Sequence, residues 1–528
     1  TTTTTTTTRP AVSKVISNIV FGSCLSYYFQ PQPVWKQVVA AKPDAWIWAG
    51  DFVYMDDPIS DCTTYPGAAD CNCSTTWLSH PPHSCGSGNI DHARRRVNIQ
   101  LGHEDYRNFL SYMCPHDDSF PPDGEKCEKP IIGTYDDHDS GANDGNRRVP
   151  HRDGYKQLFL DALGVSATSA RRAQAGGLHW RYTLNEGVRG KEVDVLLLDE
   201  RYHRDALPCH IRRDYCEQVL ASYDATTYKY VWCDDFLRTD KSIVAPQHDG
   251  GSCCIRDDVL YRGWCKSAAA QGDAMYGAVC DPTNITHYAR RAIHYDGSGA
   301  PVYAADAAAT RDVSPAAIMQ SSPMCEMLGR DQRVWLDEQL HRSPPPALRI
   351  VVSGSVVLND YEGRGSCKPN DSAAADDGEP VCACGGDDWD CYAPAQLNLL
   401  HTLAQHSCVV VLTGDYHYSD IKVLRPGATQ PYAAAYKSHN FKYPLYQLMA
   451  SGLTSSTAYG HRCPEDDGRL QNSGLRASPC AATGAPAFGA VRIDWDVADP
   501  VVHLELRDAA NGTRVVHRAQ FRLSECQV

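Results

Sequence analysis

The feature of the sequence that most constrains the fold is a series of short apolar runs, each of which ends in glycine, acidic or other polar residues. We predict that these runs are β-strands, because their length and their content of β-branched and aromatic residues are typical of strands. They cover residues 19–21, 45–49, 131–135, 193–198, 350–352 and 409–412. Helical spacing between some of them, as at residues 34–41, indicates an α/β fold. Open α/β sheets bind ligands at the carboxyl ends of their strands, so the polar ends locate the expected active site.

Three of these strand ends carry side chains that can bind metal ions. The possible ligands are Asp51, Tyr54, Asp137, Asn143, Asp415 and His417. Carboxylates can bridge two metals, a tyrosine phenolate suits a hard ferric ion, and an aspartate and a histidine two residues apart face one side of an extended segment. His138 can contact a phosphoryl oxygen or protonate a leaving alkoxide. Each motif alone is also compatible with an ordinary turn, a solvated acidic loop or a calcium-binding turn.

The number of cysteines indicates the compartment. Twenty-three cysteines point to an oxidising environment and a disulfide framework. Four N-glycosylation sequons, at Asn72, Asn284, Asn370 and Asn511, also favour a secreted or cell-surface protein. An odd total leaves at least one thiol unpaired. Cys24 is one possibility, since a thiolate at the end of the first strand can bind a metal; in the alternative, Cys24 is disulfide-bonded and Cys408 is free.

Charge and hydropathy exclude two classes of partner. The net charge of -14 argues against nucleic acid, because affinity for a polyanion depends on clustered lysine and arginine. No run approaches the ~20 apolar residues that a membrane-spanning helix needs. The chain has no initiator methionine and no apolar signal segment, so we expect its first residue to be a processing boundary.

We predict a threonine-rich tail at residues 1–10 and a single catalytic domain at residues 11–528. The tail has the composition of a disordered segment or of a glycosylated tether for extracellular assembly. Segments rich in cysteine, glycine and proline at about residues 58–129, 205–300 and 359–390 are predicted to be insertions held by disulfides. Alternation at about residues 488–521 predicts a β-hairpin. The run Arg94 to Arg96 fits a solvated face, and Arg201 fits either a phosphate contact or, more readily, an internal ion pair.

Six motifs together resemble the alkaline phosphatase D (PhoD-like) family of metallophosphoesterases, relatives of the purple acid phosphatases. They are residues 21–24 (FGSC), 50–54 (GDFVY), 136–139 (DDHD), 198–201 (LDER), 328–332 (LGRDQ) with Trp335 and Leu336, and 414–417 (GDYH). The resemblance implies an αββα sandwich of two mixed sheets and a dinuclear site with Fe(3+) and Ca(2+), or another divalent metal. It assigns the iron ligands as Cys24, Asp51, Tyr54 and His417. For the second metal it implies Asp51 as a bridge with Asp137, Asn143 and Asp415.

The expected activity is hydrolysis of a phosphate mono- or diester by water activated on the metal pair, with catalytic contributions from Asp137, His138 and Arg201. The substrate class includes small phosphate esters and phospholipid head groups. Two alternatives stay open at this point. One is a secreted scaffold or adhesion protein that keeps the phosphatase fold, and the other is a calcium-stabilised binding module.

Overall fold

The computed structural model describes most of the predicted scaffold. The described residues are 15–27, 31–56, 90–141, 145, 149, 151–204, 292–295, 301–303, 327–358, 388–426, 441–454, 477 and 482–528. The threonine-rich tail, Asn143 and three of the four sequons lie outside them, as do nearly all of segments 205–300 and 359–390. Asn511, the fourth sequon residue, is exposed.

The first sheet joins the beginning of the chain to its end. Its strands in the described residues are β1 (Asn18–Gly22), β2 (Ala45–Ala49), β3 (Ile131–Thr134), β13 (Ala487–Asp494), β14 (Val501–Asp508) and β15 (Asn511–Arg522). They lie in the order β15-β14-β13-β1-β2-β3. Strands β1, β2 and β3 are parallel, whereas β13 is antiparallel to β1 and pairs Arg492 with Asn18. The predicted C-terminal hairpin is therefore a three-stranded antiparallel extension of this sheet.

The second sheet also combines parallel and antiparallel strands. Its strands in the described ranges are β4 (Trp180–Leu184), β5 (Val193–Leu197), β8 (Leu348–Val352), β9 (Val409–Thr413), β10 (Ser419–Leu424), β11 (Leu445–Ala450) and β12 (Ala482–Thr483). Their order is β12-β10-β11-β9-β8-β5-β4, with β5, β8, β9 and β11 parallel. A separate pair consists of β6 (Ala292–Tyr295) and β7 (Pro301–Tyr303). The mixed α/β class with two mixed sheets is thus confirmed.

The helices cover the outer faces of the sheets. Those described are α1 (Val34–Ala40), α2 (Ile90–Gly102), α3 (Glu104–Met113), α4 (Arg152–Ala162), α5 (Ala170–Ala173), α6 (Arg330–Leu340) and α7 (Ala393–Leu403). Short 3-10 turns lie at Gly124–Lys126, Trp389–Tyr392 and Leu523–Cys526. Within the described part of the chain, no helix combines the length and the apolar character that crossing a bilayer requires.

Side-chain alternation along β1 shows how the layers pack. Ile19 and Phe21 belong to the apolar core shared with β5, β8 and β9 of the second sheet. Val20, between them, belongs to a separate core that includes Trp35 of α1 and Phe109 of α3. Because neighbouring side chains of a strand point to opposite faces, the first sheet packs on the second sheet with one face and on helices with the other.

Part of the predicted insertion at 58–129 belongs to the scaffold. Helices α2 and α3 lie within this segment, and their buried residues join the core beneath the first sheet. The disulfide Cys114–Cys127 closes the end of the segment, and Cys408–Cys526 ties the start of β9 to the C-terminal turn. Sequence composition concealed the helices, because the cysteines and prolines around them are typical of an irregular loop.

Candidate metal centre

Several of the predicted ligands come together where strands from both sheets end. Cys24 follows β1, Asp51 follows β2, and His417 follows β9. Backbone hydrogen bonds join these loops, from Leu25 N to Asp51 O at 3.0 Å and from Leu453 N to Ser23 O at 3.1 Å. The carboxyl ends of parallel strands from two sheets therefore form one site, as the sequence predicted.

The backbone at this site is unusual for residues with a side chain. Eight non-glycine residues in the described ranges have φ in the left-handed region, and four of them are site residues. Those four are Cys24 (58°), Asp51 (47°), Asp415 (81°) and His417 (58°). Each such conformation costs roughly 1–3 kcal/mol and tends to occur at functional sites. Asp139 supports the loop after Asp51, since its carboxylate accepts hydrogen bonds from the backbone N–H groups of Phe52 and Val53 at 3.0 and 2.9 Å.

One group of possible metal ligands contains Cys24, Asp51 and His417. One donor atom from each lies within 4.8 Å of the other two. The Cys24 sulfur is 3.5 Å from Oδ2 of Asp51, and the Tyr54 hydroxyl is 2.6 Å from Nε2 of His417. Cys24 is a buried free thiol, whereas Cys408 forms a disulfide with Cys526. The structure therefore decides between the two alternatives for the unpaired cysteine in favour of Cys24, as far as the described residues go.

A second group contains Asp51, Asp137 and His138, again with one donor atom from each within 4.8 Å of the others. Asp51 is therefore common to both groups. Its Oδ2 faces Cys24, while its Oδ1 is buried and has no hydrogen-bond partner among the described residues. A buried carboxylate oxygen without a donor is costly, and a cation on that side would satisfy it. The donor set thus fits two metal ions that share Asp51.

The electrostatics of the site also favour cations. Burial, with a smaller contribution from the charge of Asp415, raises the pKa of the Cys24 thiol to about 11. The pKa of Asp51 lies well above its ordinary value because of burial and because of the negative charges of Cys24 and Asp137. These groups repel one another when they are all ionised. A bound cation would favour their anionic forms and lower both pKa values.

His138 has a partner that sequence reasoning missed. Its Nδ1 lies 2.7 Å from Oδ1 of the buried Asp56, and its ring centroid is 4.2 Å from that of Tyr54. Burial alone would lower the pKa of His138, but the carboxylates of Asp56, Asp137 and Asp51 outweigh burial and raise it well above its ordinary value. The contact between Asp56 and His138 fixes the orientation of the imidazole. A signal was present in the sequence, since Asp56 lies only two residues after Tyr54.

Arg201 lies behind the site. Its side chain is 1% exposed and forms an ion pair with Asp136. Its Nη2 donates to Ser355 Oγ at 2.8 Å and is 4.0 Å from Oδ1 of Asp137. This is the internal ion pair that the sequence favoured for Arg201, and it places the guanidinium against the segment that carries Asp137.

Two other expectations concern Asp415 and the arginine run from Arg94 to Arg96. Asp415 approaches the site through its backbone, since its carbonyl oxygen is 3.6 Å from the Cys24 sulfur, but its carboxylate belongs to neither group of donors in the described residues. The solvated face expected for Arg94 to Arg96 is wrong for Arg96, which is fully buried and donates from Nη1 to the carbonyl oxygen of Met55. Helix α2 therefore supports the loop that follows Asp51.

Comparison with known families adds evidence that is independent of this geometry. The family model described as PhoD-like phosphatase matches residues 295–496. The resemblance to the PhoD-like phosphatases is confirmed. A solved structure titled "Structure of PhoD" has 13% sequence identity and a TM-score of 0.47, and the alignment covers 97% of this chain and 70% of that one. No curated protein gives a significant match.

The PhoD-like match and the metal centre overlap in part. The matched segment includes Asp415 and His417, together with α6 and strands β8 to β11. Cys24, Asp51 and Asp137 precede it in sequence, so the structure and not the family match brings them to the same place. The family match therefore supports the resemblance over residues 295–496.

Proposed function

We propose that this chain is a metal-dependent phosphoesterase with a dinuclear centre. The observation that carries the proposal is that Asp51 belongs to both groups of donors, one with Cys24 and His417 and the other with Asp137 and His138. A bridging carboxylate with separate ligands on its two sides is the arrangement that two-metal hydrolases need.

The donor chemistry differs on the two sides of Asp51. Cys24, His417 and Tyr54 offer sulfur, nitrogen and phenolic oxygen, which suits a ferric ion. Asp137 offers carboxylate oxygen, which suits calcium or another hard divalent cation, and Asn143 and Asp415 would complete this side. When bound, the two cations lower the pKa of a water molecule and neutralise charge on the phosphoryl oxygens.

The roles of the other residues follow from their contacts. His138, oriented by Asp56, protonates the departing alkoxide oxygen or donates a hydrogen bond to a phosphoryl oxygen. Arg201 contacts Asp136 and Asp137 and holds the segment that carries Asp137 in place. It is therefore a positioning residue with an indirect catalytic role. The substrate is a phosphate mono- or diester, with phospholipid head groups within the class.

We further propose that the protein is secreted or displayed at the cell surface, that N-glycans occupy its sequons, and that disulfides hold the cysteine-rich segments of a single domain. The cysteine count supports this setting, as do the two disulfides described above. The threonine tract would be the site of any extracellular assembly. A scaffold without catalysis has no chemical need for a thiol, a phenol, an imidazole and carboxylates around one buried Asp51.

The test combines metal analysis with turnover of a chromogenic phosphate ester. Iron with a second metal, together with turnover, supports the enzyme. Calcium without turnover supports a binding module, and neither metal nor turnover supports a scaffold. Asp51→Asn should abolish turnover and reduce the metal content without unfolding the chain, whereas the control Asp496→Asn, at an exposed turn, should change neither. Full activity in Asp51→Asn would contradict the proposed site.

A further inference from the structure

A second cluster of metal-binding side chains lies away from the centre described above. It contains Asp337 and His341 at the end of α6, and His406 in the turn between α7 and β9. One donor atom from each of the three lies within 4.8 Å of the other two. The mechanism proposed above uses none of them, so this inference does not depend on the proposed function.

His341 is already held as a metal-binding histidine usually is. Its Nδ1 donates to the backbone carbonyl oxygen of Asp337 at 2.8 Å, one helical turn earlier, and is 3.4 Å from the carboxylate of the same residue. Donation from Nδ1 places the lone pair on Nε2. Histidine ligands commonly donate their second ring nitrogen to a carbonyl or carboxylate in this way, which fixes their tautomer and orientation.

His406 supplies the observation that points to a ligand. The residue is only 8% exposed, and its buried Nε2 has no hydrogen-bond partner among the described residues. Its ring faces that of His341, with centroids 4.5 Å apart and planes at 89°. Burial, with His341 and Arg349 nearby, lowers the pKa of His406 to about 4. The guanidinium of Arg349 donates hydrogen bonds to the carbonyl oxygens of Ser407 and Leu340.

The cluster and the candidate metal centre lie at opposite ends of strand β9 in the second sheet. His406 and Cys408 precede β9, whereas Asp415 and His417 follow it. The five residues of Val409–Thr413 span roughly 15 Å at about 3.3 Å per residue. A cation held here would not take part in the chemistry at the other edge.

We propose that Asp337, His341 and His406 bind one divalent cation of the zinc class, which joins the end of α6 to the chain that enters β9. Two imidazoles and one carboxylate match the ligands of Zn²⁺, whereas calcium and magnesium prefer oxygen ligands alone. The side chain of His341 is 62% exposed, which leaves room for water as a fourth ligand.

The experiment compares zinc binding by the full chain, without a histidine tag, with that of His341→Ala and of the control His116→Ala. Both histidines are exposed, with side chains 62% and 86% accessible, so neither substitution should unfold the protein. Zn²⁺ alone is the probe, and equilibrium dialysis with metal analysis counts the ions bound per chain. The candidate metal centre around Asp51 is unchanged in all three proteins. Any zinc that it binds therefore contributes equally to the three stoichiometries.

We expect His341→Ala to bind one ion fewer than the wild type, or to bind that ion at least about 10–100-fold more weakly. Loss of a residue that only hydrogen-bonds to a metal ligand weakens binding by about this factor, and loss of the ligand itself should weaken it at least as much. The control should bind as the wild type does. Added zinc should raise the melting temperature of the wild type and the control more than that of His341→Ala. Equal zinc stoichiometry and equal thermal shifts in all three proteins would overturn the proposal, as would equal losses in both variants.

Discussion

The hydrogen bond between Asp56 and His138 gives the sharpest test of the mechanism. Asp56 is 4% exposed, and its Oδ1 is 2.7 Å from the imidazole Nδ1. Asp56→Asn keeps the shape of the side chain and an acceptor oxygen but removes the negative charge. Asp56→Ala removes the partner altogether and leaves the ring free to turn.

The expected loss follows from the strength of this bond. A hydrogen bond to a charged group contributes about 1.5–3 kcal/mol and a neutral one about 0.5–1.5 kcal/mol. Each 1.36 kcal/mol of activation free energy changes the rate about tenfold. Asp56→Asn replaces a charged hydrogen bond by a neutral one and should lower kcat about tenfold, whereas Asp56→Ala removes the bond and should lower kcat about 10–150-fold. KM should change little, because the side chain acts on the orientation of His138.

Two substrates with different leaving groups separate this role from a general loss of structure. A nitrophenolate leaves without protonation, whereas an alkoxide needs the proton that His138 supplies. The loss in kcat should therefore be larger for an alkyl phosphate ester than for a nitrophenyl ester. In a His138→Gln background, Asp56→Asn should have almost no further effect, since the two residues act as a unit.

Equal losses on both substrates in Asp56→Asn, with metal content unchanged, would refute His138 as the proton donor to the leaving group. Additive losses in the double variant would refute the orienting role, because they would show that Asp56 acts without His138.

Three further results should follow from the structure. Cys24→Ser should weaken metal binding at least about 10–100-fold, measured by competition with a chelator; unchanged affinity would exclude the thiol as a ligand. Burial alone would raise the pKa of Glu505, but Arg507 and Arg518 outweigh it and lower the pKa. Ionised Glu505 therefore stabilises the fold above its ordinary pKa of 4.5, and this stabilisation is lost as the pH falls through the lowered value. Glu505→Gln should cost about 1–3 kcal/mol in urea unfolding at pH 7 and progressively less in acid, and a constant difference would contradict the ion pairs. Cys526→Ser should lower the free energy of unfolding by about 2–5 kcal/mol, and an unchanged midpoint would show that the bridge is not needed.

Much of the scaffold could be predicted from the sequence. The strands at 45–49 and 409–413 are apolar runs with a polar end, and such runs have few alternatives to a buried strand. Because their carboxyl ends meet at one edge of the fold, Asp51 and His417 could be placed near each other before the structure was known. The position of Asp137 follows from the same reasoning, whereas for Cys24 the sequence left a disulfide as the alternative.

Other features depend on contacts between distant parts of the chain, which sequence patterns do not reveal. Asp56 is an ordinary loop aspartate until α2 and its buried Arg96 hold the neighbouring Met55 in place. Asp415 fits a ligand by its spacing, but its left-handed backbone and the contact of its carbonyl oxygen with Cys24 could not be predicted from that spacing. Helices α2 and α3 were hidden by a composition that is typical of loops.

The pairing of β1 with β13 has a consequence for biosynthesis. Strand β1 ends at Gly22 and leaves the ribosome long before β13, its neighbour in the sheet, which begins at Ala487. The edge of β1 that pairs with β13 therefore has no partner strand until β13 has been synthesised. Non-local pairing of this kind is slow. We expect the loop that carries Cys24 to reach its final shape only after β13 has been synthesised. If the proposed centre binds metal, a nascent chain released before Ala487 should retain none.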